Sequence, residues 1–102
     1  MPSGAMMRIK WLRKALRGLD DEIEYLTFED PSAARELYRE VRAQTDMLAR
    51  FPALGRPGRV YGTRELVLSR FPYVIPYSVK NGYVVILRVF HTSRRLPGDW
   101  QQ

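Results

Sequence analysis

The chain has 102 residues, enough for one compact domain with a modest core and too few for two. It is 45% hydrophobic and 27% charged with a net charge of +6, which is ordinary for a globular fold and suggests neither a disordered nor a fibrous one. It has no cysteine and a single histidine, His91, so disulfides, thiolate chemistry and Cys- or His-rich metal sites are excluded and no cofactor is expected.

The opening "MPSGAM" precedes a second start-like Met7 and shows no periodicity, so we read residues 1–6 as a disordered extension or expression scar and residues 7–102 as one domain. No apolar run reaches the roughly 18 to 20 residues of a membrane span. The N-terminus also lacks the charged-then-apolar pattern of a secretion signal, and the chain reads as cytoplasmic with no membrane partner.

Arg8 to Leu12, "RIKWL", is a short strand. From Arg13 the pattern changes: Leu16, Leu19, Ile23 and Leu26 recur at three- and four-residue steps and mark an amphipathic helix. It stops near "FEDP", where Asp30 caps a second helix and Pro31 fills its first position, giving up an N–H that had no partner there. That helix carries Ala34, Leu37, Val41, Thr45 and Leu48 on one face, and so short a connection folds the two into a hairpin.

The segment "FPALGRPGRVYGTR" reads as a loop, made basic by Arg56, Arg59 and Arg64. Three strands follow, "RELVLSR", "YVIPYSV" and "YVVILRVFH", the last two joined by Asn81-Gly82, whose residues tolerate the positive φ of a tight hairpin turn. The order β-α-α-β-β-β gives an α+β fold, with the helix hairpin on one face of a small, mainly antiparallel sheet.

Pairing outward from Asn81-Gly82 sets Val79 opposite Val84, Tyr77 opposite Ile86, Ile75 opposite Arg88 and Tyr73 opposite Phe90, on the face toward the helices. The open face then holds Lys80, Tyr83, Ser78, Val85, Pro76, Leu87, Val74, Val89 and His91. On this register Arg88 needs an acid of the first helix, Asp20, Asp21 or Glu24, as an ion-pair partner. Glu65 is expected to neutralise Arg64 or Arg70, and Tyr73 and Tyr77 to pack in the core. Pro76 demands a gap in the ladder or a longer turn, because it has no N–H to donate.

Charge is divided unevenly along the chain. Up to Leu54, nine bases face nine acids; from Gly55 onward, eight bases face only Glu65 and Asp99. A surplus so placed favours an anionic partner, either nucleic acid or an acidic protein segment.

The order of elements, with "REL", "PYVIPY" and "ILRVFHTSRR", resembles the RelE/ParE superfamily of toxins from bacterial type II toxin–antitoxin modules, over nearly all of Met7 to Trp100. The resemblance implies a cytoplasmic growth inhibitor, the toxin of a plasmid-stabilisation module, neutralised by a cognate antitoxin. RelE-like members cut messenger RNA in the ribosomal A site; ParE-like members block DNA gyrase. In the RelE pattern an arginine follows the tyrosine of the central strand, whereas here Val74 follows Tyr73, which favours the ParE side.

The leading expectation is therefore a toxin that acts by binding gyrase. The runner-up is a metal-independent, ribosome-dependent endoribonuclease with His91, Arg70 and Arg94 at its centre, arginines stabilising transition-state charge and the histidine moving protons. A third reading is a non-toxic module that only binds antitoxin. Arg56, Arg59, Arg64, Arg94 and Arg95 are the expected contacts to target or nucleic acid, and Val74, Leu87 and Val89 the apolar stripe for the antitoxin.

Overall fold

The computed structural model describes residues 6–93. Strand β1 (Arg8–Trp11) leads into helices α1 (Arg13–Glu29) and α2 (Pro31–Met47), followed by β2 (Arg56–Pro57), β3 (Arg64–Val67), β4 (Tyr73–Lys80), β5 (Tyr83–Ile86) and β6 (Phe90–His91). The sheet order is β1-β5-β4-β3-β2, with β6 pairing β4 beyond the end of β5. Only β1 runs parallel to its neighbour, β5; the other described pairings are antiparallel. This is the expected α+β arrangement.

Asp30 joins the helices single-handedly. Its backbone N–H donates to Leu26 O at 2.7 Å and closes α1, while its carboxylate accepts from the Ala33 N–H at 3.1 Å and opens α2. All five residues expected on the inner face of α2 are buried, and the Thr45 hydroxyl among them is satisfied by Val41 O at 2.8 Å. On α1 the stripe is rotated slightly: Ala15 and Leu19 are buried, whereas Leu16 is 47% exposed. Small Ala15 permits close approach of the helix to the sheet, and Leu16 is left on its flank.

The core lies between this hairpin and one sheet face, where Leu66, Ile75, Tyr77, Val84 and Ile86 meet Leu37, Val41 and Leu48. The hairpin turn takes positive φ at both central residues, 54° at Asn81 and 81° at Gly82, and sets the expected pairs Tyr77–Ile86, Ser78–Val85, Val79–Val84 and Lys80–Tyr83.

Beyond Ile86 the expected register fails. Instead of Tyr73–Phe90 and Ile75–Arg88, the structure pairs Tyr73 with His91 and Val74 with Phe90. One extra residue has entered the line between β5 and β6. Pro76 explains the gap: its carbonyl accepts from Leu87 N–H at 2.9 Å, but it has no N–H to return to that strand. The consequence is a bulge over residues 87–89 and an exchange of faces after it. Val89 turns into the core at 7% exposure, beside Gly18 of α1, while Arg88 leaves the core face and lays its guanidinium 5.8 Å from the Phe90 ring centroid. His91 moves to the helix side with Tyr73.

The basic loop is also more ordered than the sequence implies. Arg56 and Pro57 form a two-residue edge strand against Glu65 and Arg64. The turn between them is closed by Gly58 N–H to Thr63 O at 2.8 Å and by the Thr63 hydroxyl to Val60 O at 2.6 Å.

Candidate functional site

The sheet face away from the helices is built by period-two alternation. Ile9 and Trp11 pack toward the core, so Arg8 and Lys10 project from the other side of β1, in register with Tyr83 and Val85. Across β4 that face continues through Lys80 and Ser78. It ends in a groove of about 710 Å³ whose lining includes Leu12, Leu87 and Val79 as apolar surface and Arg13, Lys14, Lys80 and Arg88 as cations. Among the described residues, no carboxylate lines it. Tyr61, wholly exposed, stands at its rim beside Gly62, which holds φ at 81°.

Next to the groove, Glu65 is 2% exposed and held by two arginines, yet not by those expected. Arg56 donates to Oε1 from Nε and Nη2 at 3.2 and 3.0 Å; Arg59 donates to Oε2 from its backbone and Nε at 3.1 and 3.2 Å. Burial alone would push this carboxyl upward; the Arg59 amide, the Arg56 guanidinium and the charge of Arg59 outweigh it and hold the group below the usual carboxylate range. Arg64 turns instead to Gly55 O at 2.7 Å. Tyr77 locks the same loop from beneath, accepting from Gly55 N–H and donating to Pro52 O, both at 2.8 Å. Burial raises its phenol above the ordinary value, with the Gly55 bond and Arg64 pulling the other way.

The far end of the sheet holds His91. Its ring meets Tyr73 edge-on at 5.0 Å between centroids, and the Tyr73 hydroxyl donates to Glu22 of α1 at 2.8 Å. His91 Nδ1 accepts from the Ser93 backbone N–H at 3.2 Å, with the Ser93 hydroxyl 2.7 Å away. The Ser93 N–H thus occupies the Nδ1 lone pair of the ring.

The residues expected from sequence are thus dispersed. Arg70 reaches Glu36 and Glu40 of α2, at 3.3 and 3.8 Å, and among the described residues it does not bond His91. Arg56 and Arg59 hold Glu65 while remaining about half exposed, at 56% and 49%. Of the stripe Val74, Leu87 and Val89, only Leu87 is accessible: Val74 is 2% exposed, and Val89, which faces the open side only in a register without the bulge, is 7% exposed in the core. Arg94 and Arg95 lie outside the described residues. Sequence reasoning missed Arg13, Lys14 and Arg88 as groove residues; for Arg88 the one available signal was Pro76.

A model of the family described as the ParE toxin of the type II toxin–antitoxin system matches residues 9–96. Protein Y4kP of Sinorhizobium fredii is 44% identical over 90 residues, spanning 88% of this chain and 93% of that protein. Toxin RelE2 of Caulobacter vibrioides is 35% identical over 89 residues, 87% of this chain and 99% of that one. Among solved structures, a chain of the chromosomal ParDE system from P. aeruginosa superposes with a TM-score of 0.78 at 32% identity, covering 84% of this chain and 96% of its own. A chain of the RelBE2 toxin–antitoxin complex from Mycobacterium tuberculosis shares the fold, with a TM-score of 0.59 at 24% identity, covering 89% of this chain and 97% of its own. The chain therefore belongs to the ParE toxin family of type II toxin–antitoxin systems.

Proposed function

We propose that this toxin arrests growth in the cytoplasm by binding DNA gyrase, without cutting RNA, and that a cognate antitoxin neutralises it. The observation that carries the reading is Val74. A RelE-like nuclease has an arginine after the central-strand tyrosine; here the position is aliphatic and 2% exposed, and cannot grip a phosphate. Among the described residues, the side chains left for such chemistry add little: Arg70 is engaged by two acids of α2, and the Nδ1 of His91 is taken up by the Ser93 N–H.

An antitoxin as partner is supported by the two similar solved structures, one from a ParDE system and one a toxin–antitoxin complex. Leu87 is the accessible apolar contact for it, and the half-exposed Arg56 and Arg59 can meet an anionic target while holding Glu65. Arg64, Arg94 and Arg95 belong to the same proposal.

The nuclease reading keeps one support, the 35% identity to a protein named toxin RelE2. Primer extension on a defined message in a reconstituted translation reaction separates the two. Intact message with the protein present is expected; new 5′ ends at A-site codons would replace this proposal with the nuclease.

A further inference from the structure

The open sheet face has a pattern that inhibition of gyrase does not require. Arg8, Tyr83 and Lys80 stand in one row across β1, β5 and β4, so their side chains leave the sheet on the same side. The two cations are two strand spacings apart, about 10 Å, with the tyrosine between them. Tyr83 is 37% exposed and Tyr61 wholly so. Each ring adjoins a glycine with φ of 81°, Gly82 and Gly62, so two tight turns present them at one end of the sheet. The groove beside them adds Arg13 and Arg88. Glu65, the neighbouring acid, is sealed under Arg56 and Arg59 and does not repel an anion here.

We propose that this face binds single-stranded nucleic acid directly, Arg8 and Lys80 holding phosphates and Tyr83 and Tyr61 stacking on bases. Cations alone would serve an acidic protein segment equally well. The exposed rings, Tyr83 between the two cations and Tyr61 at the groove rim, select a ligand with aromatic faces of its own, and a duplex keeps those faces hidden in its stack. The inference goes beyond the toxin assignment, which stands whether or not the isolated protein holds a nucleic acid.

The test is fluorescence anisotropy of labelled oligo(dT), oligo(rU) and a duplex of equal length, titrated with the full chain free of partner proteins. Both single strands are expected to bind more tightly than the duplex, and the comparison of the two reads any preference for DNA or RNA. Tyr83→Ala should weaken binding about tenfold and Tyr83→Phe should restore it, since the ring carries the stacking. Tyr61→Ala, at a wholly exposed position, provides a second loss without risk to the fold. Reversing Lys80 and Arg8 to Glu should flatten the salt dependence, by a slope of about 0.7 for each phosphate no longer neutralised. Three results would overturn the proposal: no binding, duplex held as tightly as single strands with Tyr83→Ala unchanged, or a polyglutamate peptide bound more tightly than either oligonucleotide.

Discussion

Leu87 and Pro76 share a single hydrogen bond, donated by the Leu87 N–H to the Pro76 carbonyl at 2.9 Å, where two unblocked strand residues would exchange two. This one missing donor decides which side chains face the core. The line of β5 bulges, Val89 enters the core against Gly18 of α1, and Arg88 is re-aimed into the basic groove.

The bulge has an energetic signature. Val89→Ala should cost about 1.5 to 3 kcal/mol in urea unfolding, since a packed side chain is truncated. Arg88→Ala should cost less than Val89→Ala, because the Arg88 side chain lines the groove rather than the core. The reverse order would mean that Arg88 occupies the core after all.

Glu65 should couple stability to pH. Its folded carboxyl lies below the ordinary value, so its contribution is present above the unfolded carboxylate range and is lost as pH falls through the folded value. Glu65→Gln should destabilise the protein by about 2 kcal/mol near neutrality, discounted for the half-exposed arginines. Thermal melts of both proteins across the acid range should converge as pH drops; a constant gap would refute the coupling.

Tyr77 and Gly55 should behave as one unit. A Cβ on Gly55 would lie 2.7 Å from the Tyr77 ring and 2.8 Å from the Glu65 carbonyl, so Gly55→Ala forces the loop off the sheet. Tyr77→Phe strands the buried Gly55 N–H and should cost about 1 to 3 kcal/mol. In a double-mutant cycle the two costs should fall well short of adding, and strict additivity would show that they act separately.

Toxicity should survive loss of the nuclease candidates. Expressed without antitoxin, His91→Ala and Arg70→Ala proteins should arrest growth as fully as the parent, because neither residue is asked to do chemistry. Recovery of growth with soluble variant protein would restore the nuclease reading.

Much of this architecture is legible from short-range signals. Asp30-Pro31 fixes the helix junction and Asn81-Gly82 the hairpin, because each acts through backbone geometry within a few residues. What escapes the sequence depends on contacts made at a distance. Glu65 lies nine residues from Arg56, and only pairing of β2 with β3 brings them together. The parallel seat of β1 beside β5, which assembles Arg8, Tyr83 and Lys80 into a row, crosses most of the chain. The bulge lay between: Pro76 announced a defect in the ladder, but not the side on which the extra residue would enter.

The most direct test of gyrase as the target is supercoiling of a relaxed plasmid, with the antitoxin-free protein in excess over enzyme. Inhibited supercoiling, reversed when antitoxin is added, is the expected result. Normal supercoiling at every toxin concentration, from protein that still arrests growth, would contradict gyrase binding and move the target elsewhere.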